Sequence, residues 1–412
     1  MGKNQCTTDY TAWNETNRAG REAVVAQARA NGIKDFVIRD ETLSGFANGK
    51  LGVGQTDSWL TNQINTYLNR YIDWKIDGEY VITGIDLGDE PQGKNLQYYA
   101  KTYKLLKAAL EARGRGSVEV YACLLPAYGG TNLYTLDGST ATEANRYSAY
   151  RKYIRTFLQE TGIKHFVVDA YPFMAKNGGL TKYFIEGYYA TLQIVAEESK
   201  SAGAKFGFVM QALGSTEYHY EFRELNAAEM DLQFNSGIGF GADWLGMFRY
   251  RAYSDDATCE NKYLVDSDCL TKNAIYDLTK AEIEQAQKFA NVILSFTYNA
   301  SALYGDSSAS YYANYTAGFE NDDFQIANVS FSGGMGLATE LYDAKNGLYA
   351  YMFQNVLDTV YGTATSTVTA TFEGYTHAAV IIDGEITYVD LENGVYTANL
   401  SNGQAVYVIP LV

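Results

Sequence analysis

A chain of 412 residues, 47% hydrophobic and only 19% charged, can bury a large core and is too apolar to be disordered. Its formal charge of -16, from 48 acidic against 32 basic residues, repels phosphate backbones and argues against nucleic acid as a partner. No run of residues reaches the length of a membrane-spanning helix.

Residues 1–18 are polar and show no strand pattern. NRAGREAVVAQARANGIK then reads as a helix stopped by Gly32, and DFVIRDE as a short buried strand ending in Arg39, Asp40 and Glu41. The same unit recurs. A helix marked by Leu60, Ile64, Tyr67, Leu68 and Tyr71 feeds the strand that ends in GIDLGDEP. One bearing Leu96, Tyr99, Tyr103, Leu106 and Leu110 precedes VEVYACLLP, and one bearing Tyr150, Tyr153, Ile154, Phe157 and Leu158 precedes HFVVDAYPF. Phe184, Tyr188, Leu192 and Val195 line the helix before KFGFVMQA, and NAAEMDLQFNSGIG leads into DWLGMFRY. Thr279 and Glu282 have the spacing of a capping box for AEIEQAQKFANVIL.

Strands that are continuously apolar and separated by helices predict a parallel sheet covered on both faces. Functional-looking groups at the ends of nearly every strand favour a (β/α)8 TIM-type barrel over a doubly wound sheet, which gathers them at one switch point. Only six strands are legible, around Val37, Ile85, Tyr121, Val167, Phe208 and Leu245. The others either lie outside the chain or are cryptic, and the expectation is that the first one or two βα units are missing. From about Ala344 the pattern changes to short alternating strands with hairpin signals at Asp383-Gly384, Asn393-Gly394 and Asn402-Gly403. The expected division is a barrel over residues 1–340 and a small antiparallel β-sandwich over 341–412, with the Tyr- and Ser-rich stretch 301–334 between them.

The strand ends carry the chemistry. In GIDLGDEP an apolar run stops in Asp89, Glu90 and Pro91, where a rigid strand can aim a carboxyl and proline fixes the exit of the chain. The plainer alternative is that Asp89 and Glu90 cap the helix beginning at Leu96. HFVVDAYPF likewise ends in Asp169, followed by Tyr171 and Phe173. Asp40, Asp86, Asp89, Glu90 and Asp169 at one mouth would raise the pKa of at least one of them by mutual repulsion, as a general acid near neutral pH requires.

GIDLGDEP, HFVVDAYPF, FGFVMQA, NSGIGFGADWLGMFRY and the closing AVYVIP together resemble the clan of (β/α)8-barrel glycoside hydrolases that includes the beta-galactosidase-like enzymes. The resemblance spans roughly residues 20 to 412. It implies an acid/base glutamate at the end of the fourth strand, which falls on Glu90 if two strands precede residue 20. Asp89 then stands where many members carry an asparagine. At the seventh strand, where such enzymes place a nucleophilic glutamate, this chain has Gln211, so Asp169 becomes the second carboxylate, with Glu217 a weaker candidate.

The expectation is therefore cleavage of O-glycosidic bonds in a poly- or oligosaccharide, with Glu90 as proton donor and Asp169 as nucleophile or base. Arg39, Asp40, Asp86, Asp89, Tyr171, Gln211 and Tyr250 are the candidate sugar contacts, the aromatic ones with ordinary core packing as their alternative. The other class in play is a carbohydrate-binding or cell-surface protein that kept the scaffold and lost catalysis. Neither a metal cluster nor a cofactor motif is legible, and none is expected. Cys123 reads as a small buried side chain, while Cys259 and Cys269 flank a polar loop and either bridge it or stand as free thiols. No signal peptide precedes residue 1, yet the low Lys and Arg content, a loop disulfide and a polymeric substrate lean toward a secreted or cell-surface protein.

Overall fold

A computed structural model describes residues 5–10, 15–174, 182–218, 220–251, 263–266, 270–304, 324–326, 328–333 and 335–412. The chain forms two compact units, residues 1–169 with 201–205, and residues 170–200 with 206–412. Its fold class is α/β, of the (β/α)-barrel type followed by an antiparallel β-sandwich.

The first unit alternates strand and helix: β1 (Gln5–Tyr10), α1 (Glu15–Ala30), β2 (Asp35–Asp40), α2 (Glu41–Ala47), α3 (Asp57–Leu68), a small hairpin β3 (Lys75–Ile76) and β4 (Glu79–Tyr80), then β5 (Ile82–Asp89), α4 (Leu96–Ala112), β6 (Glu119–Leu124), α5 (Arg146–Thr161) and β7 (His165–Ala170). Strands run in the order β1-β2-β5-β6-β7, each parallel to its neighbour. The helices supply the apolar cover. Leu96, Tyr99, Leu106 and Leu110 of α4 and Tyr150, Tyr153, Ile154 and Phe157 of α5 are buried at helical spacing. Gly162 stops α5 at φ 67, a conformation open to glycine at little cost. Arg115 closes the lower end of β5 by donating to the carbonyls of Ile72 and Ile82, with its guanidinium over the Tyr80 ring.

One expectation is overturned here. The polar stretch before residue 18 does hold a strand, β1, paired in parallel with β2 from Gln5–Asp35 to Tyr10–Asp40. Cys, Thr, Thr, Asp and Tyr present no apolar run, which is why periodicity passes over them. GIDLGDEP is accordingly the third of the described parallel strands rather than the fourth.

The second unit holds α6 (Lys182–Ala202), β8 (Lys205–Gln211), a hairpin β9 (Ser215–Tyr218) and β10 (Tyr220–Phe222), α7 (Ala227–Gly239), β11 (Trp244–Phe248) and α8 (Ala274–Ile293). Strands β8 and β11 pair in parallel. Antiparallel strands follow: β12 (Thr297–Tyr304), β13 (Asn328–Ser332), β14 (Gly336–Asp343), β15 (Leu348–Asn355), β16 (Ser366–Thr371), β17 (His377–Ile382), β18 (Glu385–Asp390), β19 (Val395–Leu400) and β20 (Ala405–Leu411). They make a six-stranded sheet, β12-β14-β15-β20-β17-β18, and a three-stranded one, β13-β16-β19. A boundary at 340/341 would cut β14, and the antiparallel sheets take in strands from Thr297 onward, because β12 pairs with β14 along its length.

Asp383-Gly384 makes the expected tight hairpin between β17 and β18, both residues at positive φ. Asn393-Gly394 and Asn402-Gly403 instead carry the chain from one sheet to the other. The capping box expected at Thr279 and Glu282 falls inside α8, whose N-cap is Asn273. A capping box does form at Asn226 and Glu229, where α7 begins.

Helix α7 lies on the six-stranded sheet. Ser236 donates to the Gln354 side-chain oxygen at 3.0 Å, and the Gln354 amide donates to the Leu232 and Gly403 carbonyls at 3.1 and 2.9 Å. Beside its N-terminus, Arg223 reaches Glu229 at 2.6 Å and both oxygens of Asp358 at 2.8 and 2.7 Å, both carboxylates being buried. Partners on both sides are needed, since a buried charge left alone costs several kcal/mol.

Candidate active site

The site lies in the first unit, at the C-terminal ends of β5, β6 and β7. Register decides which side chains share a face, because parallel partners point the same way and alternate residues of a strand return to the same side. Arg39, Asp86 and Tyr121 form one row of partners, and Asp89, Cys123 and Val167 form another. Tyr121 and Cys123 are two apart on β6, on its half-exposed side, while Val120, Ala122 and Leu124 are buried on the other.

Asp86 and Asp89 are three apart and would point to opposite faces of a regular strand. A β-bulge between Asp86 and Gly88 sets two residues of β5 against one of β6 and brings Asp89 back to the side of Asp86. Asp169, two residues beyond Val167 on β7, falls on this side as well. One face thus collects carboxyls from two strands around Cys123.

Glu90 leaves β5 in an unusual conformation. Its φ is 48, in the left-handed region, immediately before Pro91. For a residue other than glycine this costs on the order of 1–3 kcal/mol, and such strain gathers at functional sites. Its backbone N–H donates to the Cys123 carbonyl at 2.8 Å, which ties the turn to β6. The neighbouring loops are tied too. Tyr153 donates to the Pro91 carbonyl at 2.7 Å, Tyr150 to the Leu125 carbonyl at 2.7 Å, and the Gly93 N–H to the Leu133 carbonyl at 2.6 Å.

Electrostatics follows from crowding. Arg39 reaches Asp86 at 3.6 Å and Asp89 at 3.1 Å, one cation between two acids. Burial pushes the Asp86 carboxyl up to about 7 despite Arg39, with Asp89 adding to the rise. Glu90 is open to solvent along one side but walled by protein on others; this loss of hydration, then the charge of Asp89, pushes it up to about 7. Burial pushes the Cys123 thiol well above its ordinary value, and Asp169, Asp89, Asp86 and Glu90 add to the effect in that order. Tyr153 is likewise pushed up by burial and then by Glu90, with Asp169 contributing less. Both the thiol and the phenol are thus within electrostatic reach of Glu90 and Asp169.

The expected site residues divide as follows. Glu90, Asp89, Asp86, Arg39 and Asp169 belong to this cluster, and neither Asp89 nor Glu90 caps α4, whose N-cap is Asn95. Asp40, expected as a sugar contact, is buried and engaged with backbone. It is the N-cap of α2, accepting from the Thr42 and Leu43 N–H groups at 2.9 and 3.2 Å.

Gln211, in the second unit, also departs from its expected role. It is fully buried, its side-chain oxygen accepts from the Phe173 N–H at 3.0 Å, and its amide donates to the Phe173 and Leu213 carbonyls at 3.0 and 3.1 Å. Gln233 brackets its backbone from α7. It pins loops to a strand and has no free edge for a hydroxyl. Tyr171 is half-buried and stacked on Phe248 at 5.6 Å with Phe222 edge-on at 5.9 Å, so packing occupies one face of the ring. Tyr250 is 56% exposed just beyond β11. Cys259 and Cys269 lie outside the described residues.

Sequence reasoning missed the site roles of Cys123, which is half-buried and faces the acids, and of Tyr150 and Tyr153 on α5. Gly88 inside an apolar strand was the available sign of the bulge. Among the described residues there is no group of three or more His, Cys, Asp or Glu arranged to hold a metal, and no helix long and apolar enough to cross a membrane.

No family model matches this chain, and no curated protein matches it. Solved structures do. A GH27 β-L-arabinopyranosidase from Geobacillus stearothermophilus is 10% identical, with a TM-score of 0.49 over 96% of this chain and 78% of that one. An α-galactosidase from Saccharomyces cerevisiae with raffinose is 8% identical, with a TM-score of 0.49 over 99% and 89%. A putative α-galactosidase from Bacteroides fragilis is 9% identical, with a TM-score of 0.49 over 95% and 64%. These are likenesses at low identity, and the role of every residue in this chain rests on its own surroundings.

Proposed function

We propose that this protein is a glycoside hydrolase that cleaves O-glycosidic bonds of a poly- or oligosaccharide, with Glu90 as general acid/base and Asp169 as the second carboxylate. The observation that carries the reading is the gathering of Asp86, Asp89, Glu90 and Asp169 around Cys123, with Glu90 solvent-accessible and its pKa raised to about 7. A carboxyl that titrates there is partly protonated at neutral pH and can hand its proton to a leaving oxygen. Asp169, on β7, supplies the negative charge that attacks the sugar or activates water. The strained turn at Glu90 and its anchor on Cys123 hold the donor in place without a flexible loop.

The alternative, a carbohydrate-binding protein that has lost catalysis, drew on Gln211 as a neutralised nucleophile. Gln211 sits in the core with its hydrogen bonds made, and that support falls away. Arg39 engages Asp86 and Asp89, and no ion pair joins it to Glu90 among the described residues. The test is release of reducing ends from a panel of poly- and oligosaccharides, by the protein and by Glu90→Gln. Turnover in the first and its loss in the second are expected. No release from any glycan, or an unchanged rate in the variant, overturns the proposal.

A further inference from the structure

We propose that Asp89, clamped by Arg39, is a positioning residue that sets the pH range over which Glu90 keeps its proton. The inference rests on the reading of Glu90 as the acid. Its geometric basis is the bulge at Leu87, which turns both Asp86 and Asp89 toward one guanidinium, at 3.6 and 3.1 Å. A regular strand would send Asp89 to the other face, away from Arg39. The bulge thus fixes a charge on the residue next to the acid and supplies the cation that moderates it.

The groups around Glu90 can be named element by element: Asp86 and Asp89 on β5, Arg39 on β2 with Glu41 just beyond it, Cys123 on β6, Asp169 on β7 and Tyr153 on α5. Arg39 is the only cation in this set. Asp89 is more than half exposed and pairs with Arg39 at 3.1 Å, whereas Asp86 is buried and its carboxyl is pushed up to about 7. The neighbouring Asp89 charge adds to the rise at Glu90, and Arg39, paired with Asp89, is the group placed to temper it.

Opposite signs for two substitutions make this testable. Asp89→Asn removes the repelling charge, and Glu90 should titrate about one pH unit lower, a roughly tenfold loss of proton affinity. Arg39→Met leaves Asp89 uncompensated, and Glu90 should titrate higher, while Arg39→Lys should restore most of the original value. The readout is the carboxyl carbon of Glu90 in protein with 13C-labelled glutamate, its resonance assigned by its absence in Glu90→Gln, followed from pH 4 to 10. The basic limb of the pH profile of kcat/KM should move with it.

A downward shift in Asp89→Asn together with an upward shift in Arg39→Met supports the inference. An unchanged Glu90 titration in folded Asp89→Asn overturns it. If Arg39→Met does not fold, Asp89→Asn and Arg39→Lys decide the matter. If the wild-type protein cleaves no glycoside while Glu90 titrates as described, the proposed function fails and the coupling between these residues stands.

Discussion

Asp86 offers the sharpest physical test of the site, because its carboxyl is buried where its charge is disfavoured. Its pKa rises from 3.8 to about 7 on folding, chiefly through lost hydration. Below pH 3.8 both states carry the proton and Asp86 has no effect. Between 3.8 and 7 the unfolded chain ionises while the folded one does not, so stability falls as pH rises, by about 1.4 kcal/mol per pH unit. Above 7 the loss is complete, on the order of 4 kcal/mol.

Asp86→Asn removes the ionisation and keeps an oxygen to accept from the Gly88 N–H, now at 3.1 Å. The 3.6 Å contact with Arg39 is already contained in the wild-type value of about 7, so its loss takes nothing further from the gain. The variant should therefore match the wild type near pH 4 and exceed it by about 4 kcal/mol at pH 8. Urea unfolding of both proteins from pH 4 to 9 measures the difference, in which titrating groups remote from Asp86 cancel. A difference that does not change with pH, or a variant less stable at pH 8, refutes burial as the cause of the raised pKa.

Glu90→Gln should abolish turnover while leaving the far-UV and near-UV circular dichroism of the wild type, since its backbone anchor on Cys123 is untouched. Gly93→Ala should disturb the wall beside Glu90, because the added carbon would meet the Tyr134 and Thr135 carbonyls at 2.5 and 2.6 Å. A loss of more than about 2 kcal/mol in urea, with lowered activity, is expected, and wild-type behaviour would show that this loop is free to move. Gln211→Glu separates a lost nucleophile from a core pin. In the core it should cost several kcal/mol by burying a charge against carbonyl oxygens and add no activity, whereas a gain in turnover would reinstate the nucleophile. Arg115→Met should strip the Ile72 and Ile82 carbonyls of their donor, lowering stability by roughly 2–4 kcal/mol without moving the pH profile of activity.

Much of the scaffold could be read from apolar periodicity. The strands around Val37, Ile85, Tyr121, Val167, Phe208 and Leu245 are all present, because a parallel strand buried on both faces writes itself as an unbroken apolar run. β1 escaped because Thr and Asp interrupt that run. In the site, Glu90 and Asp169 were legible as acids ending strands. The placement of Asp89 was not, since alternation sends it to the wrong face and only the bulge returns it. Asp40 and Gln211, both expected at the site, turn out to satisfy backbone groups. A polar side chain at a strand end looks the same in sequence whether it faces substrate or satisfies backbone groups, and only burial and partners tell these apart. The box at Asn226 and Glu229 matched the capping pattern as well as Thr279 and Glu282 did, and tertiary context chose between them.

Helix α7 and the strand carrying Gln354 hold each other's polar groups, and Arg223 draws its counter-charge from Asp358. The C-terminal sheets are therefore no detachable accessory that could be trimmed or swapped like a tethered binding module. A fragment ending at residue 340 would leave Arg223 with Glu229 but without Asp358, and a bare helix flank, and it should be recovered as insoluble material. In an evolutionary lineage with this architecture, the two halves of that contact must be inherited together.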